Sequence, residues 1–322
     1  MTVDKNFSFP VGVQLFNRPE YAEKFLTSLR QQILPVDQSK LFIYIDGFKG
    51  SIYESRGTAD KTGEVEDLAK ALFPKATILR LEENCGIADL HNRLQTRVFA
   101  NNNPWAAFFE EDLILDKRYL EELSDLIEIV DESEEVVKVA CFQIISRLSH
   151  LPRGYDGFYP GYGTQAFAER RSFFVSKQEK VLTFIDLVKR NLGSQGQFKD
   201  SYAAAIMATH GHILPYFQHD SLIESILLLE RKLHVVTKPN LVEDIGGSGI
   251  HDYTTIQPSV DRFQLSTSAS LAIRKQRFQN ELPIIRVDAR EYMTNLFMEV
   301  FHSFHLSKSR RAMLKEIFRR SV

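Results

Sequence analysis

The triplet Glu110-Glu111-Asp112 follows the apolar run Trp105-Ala-Ala-Phe-Phe, and apolar residues resume directly after it. Carboxylates at the end of a buried strand are energetically costly unless a cation meets them. Mg²⁺ and Mn²⁺ prefer carboxylate and phosphate oxygens, so a divalent metal that carries a nucleotide diphosphate would suit this position. Such a metal neutralises a departing diphosphate, which points to group transfer from a nucleotide-activated donor. The alternative is that the triplet forms a solvent-exposed acidic turn at the end of a strand. This alternative stays open because short motifs often occur without the associated function.

Apolar β-type runs alternate with helical periodicities in the first 110 residues, which is typical of a parallel, doubly wound α/β sheet. The predicted strands and intervening helices are Phe9–Phe16, Tyr21–Gln31, Leu41–Ile45, Val65–Leu72, Ala76–Leu81, Gly86–Ala100 and Trp105–Phe109. In such sheets, ligands bind at the carboxyl ends of the strands. Asn17, Asp46, Asn84 and Asp112 fall at or just past these ends. We therefore expect four polar side chains to converge there.

The second half of the chain is less regular, and no internal repeat is present. Its predicted elements are helices at Tyr119–Ile129, Phe173–Arg190 and His219–Lys232, and strands at Val136–Ile145 and Leu233–Pro239. The segment Gly154–Gly163 is rich in Gly, Tyr and Pro, and Ile245–His251 is a glycine-rich loop. From about Asp261 the sequence becomes helical, polar and finally basic.

Composition excludes several classes of protein. The chain has 322 residues, a formal net charge of −2 and two cysteines, Cys85 and Cys141. This charge gives no general attraction to nucleic acid, and two cysteines make neither a disulfide framework nor a zinc spacing. No apolar run approaches the roughly 20 residues that span a bilayer, and residues 1–10 lack the regions of a signal peptide. We expect a cytoplasmic protein that does not bind nucleic acid.

Several islands resemble the nucleotide-diphospho-sugar-binding half of GT-A glycosyltransferases. Within that class the chain is similar to the N-acetylglucosaminyltransferase I-like and family 2-like transferases. The islands are Asn17-Arg18-Pro19, Asp46, Asn84-Cys-Gly86-Ile-Ala-Asp89, the triplet at 110–112, Pro160-Gly161-Tyr162-Gly163 and Phe217-Gln-His-Asp220. The resemblance covers residues 9 to 251. It implies a GT-A catalytic domain over residues 1–258, with a mostly parallel sheet flanked by helices, and leaves a helical, basic extension over residues 259–322.

The resemblance also implies a function, the metal-dependent and inverting transfer of a hexosyl or N-acetylhexosaminyl group. The donor would be a UDP-sugar, and the acceptor would be a hydroxyl of a glycan or lipid-linked glycan. Asp112 is then the ligand of Mn²⁺ or Mg²⁺, and Glu111 accepts hydrogen bonds from sugar or ribose hydroxyls. Glu110 would support these contacts. A glutamate in the middle departs from the commonest triplet, so the resemblance does not fix the exact sugar contact of this longer side chain.

Residues after the first two strands are candidate donor ligands. Asp46 would accept a hydrogen bond from the imide N–H of uracil, as the corresponding family residue does; the alternative is a turn-forming Asp-Gly pair. Phe16, Asn17 and Arg18 would line the donor. Arg18 would reach the base or the diphosphate with its planar donors, unless it is a solvated surface arginine. Asp89 lies near the position at which the family contacts uracil.

Two candidates come from the later islands. Asp220 would be the general base that takes the proton of the acceptor hydroxyl, although an aspartate before a helical pattern is also a favoured N-cap. His251 would complete the metal shell at the end of a glycine-rich loop that closes on the donor. The alternative for His251 is a position on a mobile surface loop.

Further alternatives remain open from the sequence. The basic, amphipathic stretch Ser307–Arg320 could dock peripherally on an anionic membrane, or it could pack against its own domain or a second subunit. A sugar-phosphate nucleotidyltransferase would use a similar sheet and metal, but it would normally carry a glycine-rich loop where Asn17-Arg18-Pro19-Glu20 stands. A non-catalytic module that only binds nucleotide sugars is the third reading.

Overall fold

A computed structural model describes residues 6–141, 157–161, 165–192, 222–224, 226–227, 230–237, 241–246 and 270–303. Two predicted site residues, Asp220 and His251, lie outside the described residues. So does the basic stretch 307–320. Within the described part, no helix combines the length and the apolar character required to cross a bilayer.

Strands and helices alternate in the first half, as the sequence predicts. In chain order the elements are β1 Val11–Leu15, α1 Pro19–Arg30, a 3₁₀ turn Gln38–Lys40, β2 Leu41–Ile45, α2 Ile52–Ser55, α3 Thr62–Leu72, β3 Thr77–Arg80, α4 Ile87–Val98, a 3₁₀ turn Phe99–Asn101 and β4 Trp105–Glu110. Pro19 opens α1, where its missing N–H costs nothing. Gly86, at φ 80°, lets the chain turn sharply into α4.

The second half contributes more strands and two long helices. Its elements are β5 Leu113–Leu115, α5 Tyr119–Val130, β6 Val136–Ala140, β7 Phe158–Pro160, β8 Ala166–Arg170, α6 Arg171–Leu192, β9 Leu233–Thr237, β10 Val242–Asp244 and α7 Leu271–Ser303. Residues 222–224 and 226–227 are helical. The strands β5, β7 and β10 were not predicted, because each has only three residues and shows no clear alternation.

Eight strands form one sheet in the order β3-β2-β1-β4-β8-β6-β9-β7. Strand pairs β3–β2, β2–β1, β1–β4 and β6–β9 are parallel, whereas β8 and β7 run against their neighbours. Six of the eight strands therefore share one direction. The predicted α/β class, a mostly parallel sheet flanked by helices, is confirmed. The strands β5 and β10 form a separate antiparallel pair.

Both β1 and β2 are buried along their whole length, which requires helices on both faces of the sheet. On one face α4 approaches so closely that a Cβ at Gly12 would lie 3.0 Å from Leu94 and 2.9 Å from the Phe108 ring. The Phe108 ring also contacts the rings of Phe99 and Phe167. Glycine at position 12 thus allows the helix and the aromatic cluster to pack on the sheet.

The other half of the sheet contains a row of buried titratable side chains. Glu169, Lys138 and His234 are register partners on β8, β6 and β9. Lys177 of α6 places its Nζ 2.5 Å from both Glu169 carboxylate oxygens, and Gln95 donates to the same group at 2.9 Å. Burial lowers the pKa of Lys177, while the charge of Glu169 opposes that shift. Each buried charge therefore depends on its partner.

Replacing Lys177 by methionine should lower the free energy of unfolding by about 3–5 kcal/mol, because the Glu169 carboxylate would stay buried without its cation. Urea denaturation gives this value. The matched control is Arg286→Met, which removes a surface ion pair with Glu135 and should cost about 1 kcal/mol or less. Equal effects of the two substitutions would contradict a buried-pair role for Lys177.

Candidate active site

Polar residues gather at the carboxyl ends of β1, β2 and β4. Because β2 and β4 flank β1 as parallel neighbours, the residues that follow these strands meet at one edge of the sheet. Two groups of contacts form there. The first joins Arg18 to the triplet after β4, and the second is built around Asp46 after β2. The predicted convergence of polar groups at this edge is thus present.

Arg18 holds the acidic triplet. Its Nε lies 2.5 Å from Glu111 Oε1, and its Nη2 lies 3.1 Å from Asp112 Oδ2. The backbone N–H of Phe16 donates to the other Glu111 oxygen at 2.7 Å. The guanidinium also lies 4.8 Å from the centre of the Tyr21 ring, which is a cation–π distance. The reading of Arg18 as a free surface arginine is therefore wrong.

Burial and charge act against each other in this cluster. Burial raises the pKa of Glu111, although Arg18 and the Phe16 N–H both favour the ionised carboxylate. Burial alone would lower the pKa of Arg18, but the charges of Glu111 and Asp112 outweigh it, and the pKa lies above its ordinary value. One guanidinium between two carboxylates leaves a net negative charge, which favours a further cation.

Asp112 and Asp244 face each other across Gly246. A Cβ at Gly246 would lie 2.8 Å from Asp112 Oδ2 and 3.1 Å from Asp244 Oδ1. The backbone holds the two together, because the Ile245 N–H donates to the Asp112 carbonyl at 2.8 Å and β10 pairs with β5. Burial raises the pKa of Asp244, and the Asp112 charge adds to this effect.

Asp112 Oδ1 is buried and accepts no hydrogen bond from the described residues. A buried carboxylate oxygen without a partner is costly, so this atom suits a hard cation. Within the described residues no group of three or more His, Cys, Asp or Glu could hold a metal ion. A metal that takes most of its ligands from a diphosphate and water needs no such group, so Asp112 with Asp244 beside it fits Mn²⁺ or Mg²⁺.

Sequence reasoning left Asp244 without a role, and the structure places it beside the candidate metal ligand. The cause is the pairing of β10 with β5, which joins residues more than 120 positions apart. The strand Val242–Asp244 is too short to be recognised from its pattern, and its partner begins directly after the triplet. No local signal in the sequence could have linked the two.

Asp46 accepts hydrogen bonds on both oxygens. Oδ1 takes the backbone N–H groups of Gly47 and Cys85, both at 2.9 Å. Oδ2 takes the Asn84 side-chain amide at 3.0 Å and the Gly86 N–H at 3.1 Å. A carboxylate offers about four acceptor positions. All are used, so contact between Asp46 and a base would require one of these donors to move, and base recognition by Asp46 stays a prediction.

The other predicted donor ligands are held by nearby contacts. Asn17 binds the segment before α3, donating to the Ala59 carbonyl at 2.9 Å and accepting from the Lys61 N–H at 2.5 Å. Asp89 forms a two-point pair with Arg93, one turn on in α4. Glu110 accepts from the Gln14 side chain at 3.0 Å. These contacts hold the side chains of Asn17, Asp89 and Glu110 against neighbouring residues of the protein.

An aromatic pair flanks the triplet. The rings of Phe16 and Tyr53 meet edge to face, with centres 5.1 Å apart. Burial raises the pKa of the Tyr53 hydroxyl, and both Arg18 and Glu111 are close enough to act on it. Phe16 was predicted at this site, whereas Tyr53 was missed because it follows β2 after a polar stretch without a recognisable motif.

Comparisons with known proteins find similar solved structures. No protein-family model matches the chain, and no curated protein matches it. S. aureus TarS, residues 1–349, shares 13% identity over 74% of this chain with a TM-score of 0.42, and the chain spans 60% of its length. A complex of TarS 1–349 with UDP-GlcNAc matches 97% of this chain and 72% of that one, at 12% identity and a TM-score of 0.41.

Two further structures come from other organisms. A mannosyltransferase from Pyrobaculum calidifontis, in complex with GDP-Man and Mn²⁺, matches 98% of this chain and 81% of its own at 11% identity and a TM-score of 0.41. A cytidylyltransferase from Leptospira borgpetersenii matches 86% of this chain and 96% of its own length, at 12% identity and a TM-score of 0.36. These likenesses are too weak to transfer an activity or a residue role.

Replacing Asp46 by asparagine should separate a turn-holding role from base recognition. The amide NH₂ would face at least one N–H donor, so we expect a loss of about 1–3 kcal/mol in the free energy of unfolding. The control Asp67→Asn, on the exposed face of α3, should change stability by about 0.5 kcal/mol or less. Unchanged stability together with lost UDP binding would instead assign Asp46 to the base.

Proposed function

We propose that this protein is a metal-dependent, inverting glycosyltransferase that moves a hexosyl or N-acetylhexosaminyl group from a UDP-sugar to a glycan hydroxyl. The observation that carries the proposal is Asp112 at the carboxyl end of β4. Its Oδ1 is buried and has no hydrogen-bond partner among the described residues, a second carboxylate lies close to it across Gly246, and Arg18 pairs with its Oδ2. This is a site for a cation and a diphosphate together.

Asp112 would hold Mn²⁺ or Mg²⁺, with Asp244 adding negative charge behind it. When bound, the metal supplies charge neutralisation for the leaving diphosphate. Arg18 would contribute N–H donors to the same phosphates, because a planar guanidinium matches phosphate oxygens. Glu111 anchors Arg18. Its side chain is 5% exposed and each oxygen already accepts a hydrogen bond, so a contact with donor hydroxyls would require uncovering it.

Phe16 and Tyr53 would supply the apolar wall against which the base or ribose lies. Asn17 and Asp46 hold the turns at 59–61 and 84–86, which lie next to the carboxyl ends of β1 and β2. Asp89, Glu110, Asp220 and His251 keep the roles that the sequence predicts for them. Because the Asp46 acceptors are occupied, uracil would bind Asp46 only after one of the present donors moves away.

In an inverting transfer, the acceptor oxygen attacks the anomeric carbon on the side opposite the diphosphate. The bond between that carbon and the diphosphate oxygen breaks, and the hydroxyl proton passes to a general base. Asp220 is the proposed base. The chain's contribution is to place the two reactants in line and to hold charge where the leaving group departs.

The first alternative, a sugar-phosphate nucleotidyltransferase, fits the structure less well. That class normally carries a glycine-rich loop with a basic residue after the first strand. Here only residues 16–18 separate β1 from α1, and the short connection is occupied by the Arg18 and Asn17 contacts. Formation of pyrophosphate from a sugar phosphate and a nucleoside triphosphate would support the alternative.

Thermal shift with UDP-GlcNAc, UDP-Glc, UDP-Gal and GDP-Man tests donor and metal together. We expect one donor to stabilise the protein with Mn²⁺ by up to about 3 kcal/mol near 100-fold excess over its Kd, and EDTA to abolish this stabilisation. Asp112→Asn should lose the Mn²⁺ effect, because one oxygen ligand and the charge are gone. The control Asp67→Asn should behave as the wild type.

The same set of proteins also tests catalysis. Donor hydrolysis or transfer should fall by about 100-fold or more in Asp112→Asn, in line with the loss of one stabilising group at a developing charge. Full activity in that variant, or activity unaffected by EDTA, would contradict the metal assignment. Binding of a donor with no turnover on any glycan would instead indicate the non-catalytic module.

Product stereochemistry tests the inverting mechanism separately. An α-linked UDP-sugar should yield a β-linked product, since a single in-line attack reverses the anomeric configuration. The anomeric coupling constant in a proton NMR spectrum of the product reports this directly. An α-linked product would overturn inversion while leaving donor use and the metal site intact.

A further inference from the structure

Arg18 contacts two carboxylates with different parts of its guanidinium. Nε binds Glu111, while Nη2 binds Asp112. Among the described residues, Arg18 is the cation that pairs with either carboxylate. The Asp112 oxygen that it contacts belongs to the same carboxylate whose other oxygen is buried and, within the described part of the chain, accepts no hydrogen bond. Arg18 therefore stands where a cation would otherwise neutralise Asp112.

The two contacts differ in how firmly they are held. The Glu111 side chain is 5% exposed and is fixed from the other side by the Phe16 N–H, whereas the Asp112 side chain is 16% exposed and that of Arg18 is 28% exposed. The Tyr21 ring lies against the guanidinium. Arg18 can therefore keep its contact with Glu111 while the Nη2 contact with Asp112 changes partner.

We propose that Arg18 is an internal counter-ion of Asp112 that a divalent cation displaces, and that the freed end of the guanidinium then binds the donor diphosphate. This inference rests on the proposed function and adds to it a device that links metal and donor. Before binding, Arg18 neutralises Asp112. After binding, the metal takes over that charge, and Arg18 turns to the phosphate oxygens while Glu111 retains it.

Displacement makes metal and nucleotide bind cooperatively. Metal alone must break the contact between Arg18 and Asp112, which weakens its binding to the donor-free protein. A diphosphate recovers that loss by accepting hydrogen bonds from the Nη2 N–H groups. Each ligand therefore increases the affinity of the protein for the other by the same factor. The site at Arg18 and Asp112 then binds the metal and the donor together in preference to either one alone.

Titration of the intact protein with Mn²⁺ alone, and again with saturating UDP, measures this cooperativity. Free Mn²⁺ is followed by its electron paramagnetic resonance signal. We expect UDP to tighten Mn²⁺ binding to the wild type by roughly 5- to 150-fold. In Arg18→Met, Mn²⁺ alone should bind more tightly than in the wild type, and the effect of UDP should shrink several-fold.

Arg18→Lys distinguishes displacement from a mere change in net charge. Lysine keeps the positive charge beside Glu111, so the protein retains its buried pair, but a compact ammonium cannot span both carboxylates as the guanidinium fork does. Mn²⁺ alone should therefore bind more tightly to Arg18→Lys as well. The matched control is Arg274→Lys, since Arg274 of α7 also bridges two carboxylates, those of Glu122 and Asp125 on α5.

Several results would overturn the inference. If Mn²⁺ binds more tightly to Arg18→Met but not to Arg18→Lys, the loss of one positive charge explains the result without displacement of Arg18. Equal affinities of all the proteins for Mn²⁺ alone would show that Arg18 and Mn²⁺ do not compete for Asp112. An effect of UDP on Mn²⁺ binding that is unchanged in Arg18→Lys would show the same. Arg18→Lys decides the matter if Arg18→Met does not fold. Wild-type protein that binds neither Mn²⁺ nor UDP would overturn the proposed function itself.

Discussion

The candidate site depends on how carboxylates are neutralised at the end of a buried strand. The chain carries Glu111 and Asp112 out of the sheet core between β1 and the β5–β10 pair, where water cannot solvate them fully. A single arginine spans both, and it comes from the residues that directly follow β1. The parallel pairing of β1 with β4 is therefore a requirement of the site, because no other register would bring Arg18 to the triplet.

The sequence predicted this part of the molecule well, and the reason is physical. Buried parallel strands appear as continuous apolar runs, and polar residues at their carboxyl ends must meet at one edge of the sheet. On that ground the residues after β1 and β4 could be placed at one edge of the sheet, but the ion pairs of Arg18 with Glu111 and Asp112 were not predicted. The fold of the first 110 residues followed from the same pattern, with strand boundaries that differ from the structure by only one or two residues.

Prediction failed where a role depends on contacts between distant segments. Asp244 reaches Asp112 through a three-residue strand pair that no local pattern reveals. Asp46 occupies the position expected of a base-reading residue and its acceptors also hold the turn at 84–86, so base recognition by Asp46 stays a prediction. The residue type and position agree with both roles, and only the count of occupied acceptor positions separates them. The row of buried titratable side chains, Glu169, Lys138 and His234, could not be predicted either, because its members are far apart in sequence.

The two polar groups at the sheet edge have different energetic character. Around Asp46 every acceptor position is used, so that turn is a finished part of the fold. Around Asp112 one oxygen is buried and finds no hydrogen-bond donor among the residues that the structure describes, and the other is shared with Arg18. A fold can tolerate such an incomplete arrangement when a ligand completes it, because the stability that is lost without the ligand is recovered as binding energy. The incompletely hydrogen-bonded carboxylate of Asp112, rather than the acidic triplet as a whole, therefore marks the position at which we expect the chemistry to occur.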